Sequence, residues 1–150
     1  MASKPLPYEQ WMKPELYVFN TPSAFGETVA DRFMEASIRA IKQKDIMTVA
    51  LSGEARLDSY FEALAREPRR NMIPWQYMHL FWGNERCVPP DHPESNFKMA
   101  DDVLLKEISI PDENIHRIKG EANPEEEARR YAEEIWSIVP RDPTGIPRFD

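Results

Sequence analysis

Just past an aromatic run that ends at Trp82, the chain sets an amide, a carboxylate, a guanidinium, a thiol and an imidazole close together: Asn84, Glu85, Arg86, Cys87 and His92. Arg86 carries the most specific chemistry of these, because its planar fork of donors suits a phosphate or carboxylate. Asn84 can donate and accept hydrogen bonds but cannot act as a base. Pro89, Pro90 and Pro93 stiffen the loop, so it has little entropy left to lose on binding. A second candidate follows the apolar run IMTVAL, where Ser52 and Gly53 make a turn before a helix from about Leu57. Backbone N–H groups at such a helix start can hold a phosphate. Arg56 adds a cation there if it turns inward. Glu54 opposes an anion: like charges about 4 Å apart at an effective dielectric of about 20 cost roughly 4 kcal/mol. An ordinary charged turn fits these residues as well as a phosphate cradle does.

The remaining reactive types are weaker candidates. His79 falls inside a strand pattern, where packing is the better reading than catalysis. His92 lies in the loop near the expected site and is the one stand-in for a general base, although a solvated histidine fits it better. His116 points to no reaction. No Cys, His and Asp cluster has zinc spacing, so no metal is expected. The single Cys87 excludes an internal disulfide and suits a reducing, cytoplasmic setting.

The elements that must position these groups alternate between strand and helix. Residues 1–15 read as a flexible arm, and Leu16–Phe19 as a short apolar strand. Thr21 caps and Pro22 opens a long helix to about Lys42, with Phe25, Val29, Phe33, Ala36 and Ile41 on its core face. Ile46–Leu51 reads as a strand covered on both faces, and Phe61–Ala65 belongs to the next helix. Arg66, Arg69 and Arg70 form a basic cluster on a solvated face. Tyr77–Trp82 is the central strand, bulky and alternating. Ser95 caps a helix through Leu104, residues 114–118 form a brief strand, and Asn123, Pro124 and Glu126 start a helix to about Ile138 with Ala128, Tyr131, Ala132 and Ile135 inward. The pattern predicts an α/β fold, a Rossmann-like open and mostly parallel sheet flanked by helices, with any ligand beyond the carboxyl ends of the strands.

Composition narrows the partners. The 150 residues suffice for a real core, with residues 16–150 read as the amino-terminal part of a single α/β domain, and 41% apolar with 30% charged residues marks an ordinary globular chain. The net charge of −7 argues against a general nucleic-acid partner but leaves room for a small anion held by local cations. No run of about 18 apolar residues is available for a membrane span.

The phrase Trp82-Gly83-Asn84-Glu85-Arg86-Cys87-Val88-Pro89-Pro90, followed by Ser95-Asn96, closely resembles the 6-phosphogluconolactonases and their glucosamine-6-phosphate deaminase relatives. The family pattern there is W-x-D-E-R-x-V-P-P, so Asn84 stands where the family has aspartate. Arg86 favours the lactonase side, since the deaminases usually carry tyrosine at that place. The resemblance spans most of residues 46–136. It implies a hydrolase opening a phosphorylated sugar lactone without cofactor, with Arg86, Ser52 and Gly53 holding the phosphate. It also implies a histidine base in a G-x-D-G-H segment, which this sequence lacks. The family's S-G-G-[ST]-[TS]-P turn is altered at Glu54, Ala55, Arg56 and Leu57. Two readings follow: a lactonase-type chain inactive by itself, or a non-catalytic phosphosugar-binding or protein-interaction member. Phe149-Asp150 matches the start of the family's next core strand, so the sheet is expected to be incomplete on its C-terminal side. An exposed sheet edge and self-association are the expected consequences.

Overall fold

The computed structural model describes residues 16–52 and 58–150. Helix α1 (Pro22–Lys44) leads into strand β1 (Met47–Leu51), helices α2 (Asp58–Ala65) and α3 (Arg69–Met72), and strand β2 (Met78–Trp82). Helix α4 (Asn96–Val103), strand β3 (Ile115–His116) and helix α5 (Pro124–Ile138) complete the order. The three strands are parallel and ordered β1-β2-β3, with Thr48 opposite His79 and Phe81 opposite His116. The expected α/β fold with an open parallel sheet between helices is present.

Caps fix the helices as their sequences require. The Thr21 hydroxyl accepts the Ala24 N–H at 3.1 Å, and α1 stops at Asp45, whose φ of 67° is left-handed. The Asn123 side chain accepts the Glu125 and Glu126 N–H groups at 3.0 and 3.2 Å, with Pro124 at the first position. Three glutamates in the first turn of α5 add a favourable interaction with the helix dipole.

The pleat of β2 separates two packed layers. Met78, Leu80 and Trp82 join one cluster with Ala30, Phe61, Leu64, Trp75 and Leu104 from the helices on that face. Phe81 points the other way and packs with Tyr131, Val139, Ile135 and Phe149. Gly26 sits in the buried face of α1 because a β-carbon there would lie 2.6 Å from the Ser59 carbonyl oxygen of α2. The core face of α1 is therefore Gly26, Ala30 and Ser37, flanked by half-buried Val29 and Phe33. Phe25, expected inside, lies at the rim with its ring edge-on to Phe19.

Four expectations change. Leu16–Phe19 is not a strand: it runs irregularly, with Leu16 and Val18 88% and 82% exposed. Strand β1 is not covered throughout, since Val49 is half-buried and Ala50 exposed. Arg69 does not lie on a solvated face. It bridges to α1 through Glu27 at 2.6 Å and Asp31 at 2.7 Å, and these carboxylates push its pKa up. Ala128 and Ala132 of α5 are exposed rather than inward. The arm at 1–15 lies outside the described residues.

The tail returns to the sheet. The Asp150 N–H donates to the Thr48 carbonyl at 3.0 Å, while the Asp150 carboxylate accepts the Thr48 N–H at 3.1 Å and pairs with Lys44. On the opposite side β3 is only two residues long, and a side chain takes its place. The Tyr131 hydroxyl accepts the Trp82 N–H at 2.8 Å and shares its proton between the carbonyls of Trp82 (2.9 Å) and His116 (3.2 Å). Burial pushes the Tyr131 pKa up, so the proton stays on. Tyr131→Phe would orphan the buried Trp82 N–H. A loss of about 1–3 kcal/mol in urea denaturation is expected, whereas unchanged stability would show that water replaces the hydroxyl.

Candidate functional site

Strands β1 and β2 end side by side, and the Gly83 N–H donates to the Leu51 carbonyl at 2.8 Å. Ser52 and the loop beginning at Gly83 therefore leave the same end of the sheet, where ligands of open parallel sheets bind. The loop is held by one carboxylate. Glu85 accepts the N–H groups of Arg86 (2.7 Å), Asn96 (2.7 Å) and Phe97 (2.8 Å), and the Ser95 hydroxyl at 3.0 Å. The Ser95 oxygen in turn accepts the Lys98 N–H at 3.1 Å. Two side chains thus satisfy the open amide donors at the start of α4, with the carboxylate at the positive end of the helix dipole.

The consequence falls on the neighbouring residue. Glu85 faces the helix and does not pair with the exposed Arg86 guanidinium, which makes no ion pair among the described residues. Behind Arg86 the loop is held again, because a β-carbon on Gly120 would collide with the carbonyl oxygens of Arg86 and Val88. The Asn84 carbonyl accepts from the Asn96 side-chain amide at 3.0 Å.

Arg86 and Cys87 line a cavity of about 340 Å³ whose other walls are Ile118–Gly120 and helix α5. Ser52 is exposed at the end of β1 and is not part of those walls. Ser52 and the Arg86 loop leave the same end of the sheet, and the cavity at Arg86 opens toward α5. Gly53 and Arg56 lie outside the described residues. His92 closes a local turn, its Nδ1 accepting the Glu94 N–H at 3.2 Å. Among the described residues no group of three His, Cys, Asp or Glu side chains is placed to hold a metal ion.

A polar chain beneath the sheet was not legible residue by residue. His79 Nδ1 lies 3.0 Å from His116 Nε2, and His116 Nδ1 lies 2.9 Å from Glu134. Glu134 accepts from Arg130 at 2.5 Å, and Arg130 also grips Glu127 at 2.6 and 2.7 Å. Glu127 accepts the Lys119 N–H at 2.7 Å. With a carboxylate accepting from His116 Nδ1–H, His116 Nε2 is left to accept from His79 Nδ1–H when both rings are neutral. The Phe81 ring stacks on the His116 ring with centroids 4.3 Å apart, and the hydrogen-bonded His79 ring lies alongside at 5.3 Å. The chain ties β2, β3 and α5 into one unit and fixes α5 against the loop of Arg86. The spacing of Glu127, Arg130 and Glu134 on one helix face was its only sequence signal.

Comparisons with known proteins agree with this architecture. The family model described as "Glucosamine-6-phosphate isomerases/6-phosphogluconolactonase" matches residues 20–150. A 6-phosphogluconolactonase of Nostoc is 34% identical over 140 residues, 93% of this chain and 57% of the relative. One of Haemophilus influenzae is 41% identical over 92 residues, 61% of this chain and 40% of the relative. The solved 6-phosphogluconolactonase of Trypanosoma brucei superposes with a TM-score of 0.75 at 26% identity, covering 92% of this chain and 57% of that one. The chain spans about half the length of the relatives it matches.

Two outcomes test the site's construction. Glu85→Ala should cost about 2 kcal/mol of stability through the lost charge-assisted cap, and an undisturbed urea midpoint would contradict this. The pH dependence follows from the signs of three shifts. Burial, and then the charge of His116, lowers the His79 pKa below its ordinary 6.5. The unfolded chain therefore binds a proton first, and stability falls as pH drops below about 6.5. Burial raises Glu134, but His116 and Arg130 bring it below its ordinary 4.5. Glu127 is lowered chiefly by Arg130. Their contribution is complete above 4.5 and is lost as pH falls through the lower folded values. Urea titrations at stepped pH should show both stages, with the first missing in His79→Gln. Flat stability of the unsubstituted chain between about pH 7 and about pH 5 would contradict the placement of His79.

Proposed function

The chain belongs to the glucosamine-6-phosphate isomerase/6-phosphogluconolactonase family, and we propose that it serves a 6-phosphogluconolactonase-type hydrolysis by holding a phosphorylated sugar lactone. One observation carries the reading: a guanidinium without a carboxylate partner among the described residues, on a loop made rigid at the carboxyl end of the central strand. Arg86 supplies two parallel donors to a phosphate. Ser52 adds a hydroxyl from the end of β1, and the parts expected of Gly53 and Arg56 fall outside the described residues. Hydrolysis needs a group that activates water and donors for the oxyanion. The present residues contain no G-x-D-G-H segment, and Asn84 cannot take a proton from water. These 150 residues are therefore expected to bind without turnover.

A non-catalytic role is the second reading, favoured by Asn84 in place of the family aspartate. The second reading covers a phosphosugar-binding or a protein-interaction role; neither reading needs a nucleic acid, consistent with a net charge of −7, and an anionic small ligand is served by a local cation. No described helix is long and apolar enough to cross a membrane, and a lone exposed Cys87 suits a reducing cytoplasmic setting. Self-association is the proposed consequence of an end strand β1 whose outer edge is met, among the described residues, only at Thr48, by Asp150.

The test is calorimetric titration of 6-phosphogluconate, with lactone hydrolysis followed in parallel. Binding should weaken about tenfold or more in Arg86→Ala, as for the loss of one charge-assisted contact. Turnover above background that disappears in Arg86→Ala would overturn the non-catalytic reading. Absence of 6-phosphogluconate binding would overturn the lactonase reading and the phosphosugar-binding form of the second.

A further inference from the structure

The cavity between the loop of Arg86 and helix α5 has a chemistry that a sugar phosphate does not explain. We propose that it binds a small amphipathic anion: an aromatic or branched apolar body carrying a phosphate or carboxylate.

The inference starts from which polar groups on its walls are engaged. Glu85 is committed to the start of α4 through three backbone N–H groups and the Ser95 hydroxyl. Glu127 is 5% exposed and committed to Arg130 and the Lys119 N–H. The Tyr131 hydroxyl is committed to the backbone of Trp82 and His116. Each lining carboxylate and the one lining hydroxyl therefore already has its partners. Neither lining cation, Arg86 nor Lys119, forms an ion pair among the described residues; the charge of Lys119 acts on Glu121 and Glu127 only at longer range. The ammonium of Lys119 is exposed even though its own N–H is held by Glu127.

The rest of the surface is apolar. Ala128, Ala132 and Ile135 follow one face of α5, and Ile118 and the Tyr131 ring continue it. The exposure of Ala128 and Ala132, unexpected on an inward face, is accounted for by this cavity. A sugar's hydroxyl groups would find few partners there, and burying them unpaired is unfavourable. An apolar ring removes water from the same wall at no such cost. The cations at the loop then select a negative group on that ring. About 340 Å³ falls in the range of small-molecule sites, which begins at about 300 Å³. Preorganisation comes from the Gly120 contact behind Arg86 and from the bonds of Glu127 to the Lys119 N–H, Glu134 to His116 and Arg130 to the Arg117 carbonyl, which hold α5 to the chain beside it, so binding has little structure left to order. This site shares Arg86 with the lactone reading but does not depend on it.

Calorimetric titration with naphthyl phosphate, naphthol and inorganic phosphate tests the proposal. Naphthyl phosphate should bind one-to-one and more tightly than either half of it. Lys119→Ala should weaken it about fivefold to tenfold, and Lys119→Glu should weaken it further without touching the core. Ala132→Trp should block the cavity and abolish naphthyl phosphate binding while leaving 6-phosphogluconate binding unchanged, which separates this site from the lactone site. Should Ala132→Trp fail to fold, the two Lys119 variants decide alone. Naphthyl phosphate binding insensitive to Lys119 would overturn the proposal, as would inorganic phosphate binding equally well. Light scattering that shows a dimer dissociated by Ala132→Trp, with no naphthyl phosphate bound, would assign the face to a second copy and overturn it too.

Discussion

Two oppositely charged side chains that are neighbours in sequence, Glu85 and Arg86, do not neutralise each other. Everything proposed about this protein depends on that separation. The carboxylate turns inward to the start of α4, where it meets amide donors that have no partner inside the helix. A surface pair with Arg86 would gain at most about 1 kcal/mol, less than the charge-assisted bonds to buried amides. The helix wins, and the guanidinium is left as an open cation. The proposed anion site rests on local geometry rather than on net charge, in a chain whose formal charge is −7.

The same economy of partners recurs below the sheet. Strand β3 is too short to finish the ladder, and the Tyr131 hydroxyl supplies what the missing rung would have provided. The histidine pair, Glu134, Arg130 and Glu127 then join that helix to the sheet without leaving a charge unpaired. Such a chain is worth having only when complete, since one missing member strands its neighbours in a medium of low dielectric. Its position behind the Arg86 loop links the rigidity of the loop to the integrity of α5.

Much of this fold is visible in local sequence. Thr21, Ser95 and Asn123 announce three helix starts because capping is short-range chemistry, and alternation from Tyr77 to Trp82 marks the central strand. The family phrase around Arg86 identifies the site's scaffold. What local sequence hides is where partners come from. Glu85 looks like a natural mate for Arg86 until α4 arrives ten residues later. His79, His116 and Glu134 are unremarkable apart, and only the register of β2 with β3 puts them in line. Arg69 reads as solvated until α1 presents Glu27 and Asp31. Leu16 and Val18 have strand composition, yet they remain exposed. Ala128 and Ala132 have core spacing, yet a cavity faces them.

The separation of Glu85 from Arg86 is open to direct measurement by amide hydrogen exchange resolved at Arg86, Asn96 and Phe97. If the carboxylate is committed to these amides, all three should be protected together, and in Glu85→Ala all three should lose protection while the β2 amides keep theirs. Exchange at Asn96 and Phe97 at the rate of an open loop in the unsubstituted protein would place Glu85 elsewhere and remove the reason for Arg86 to be free.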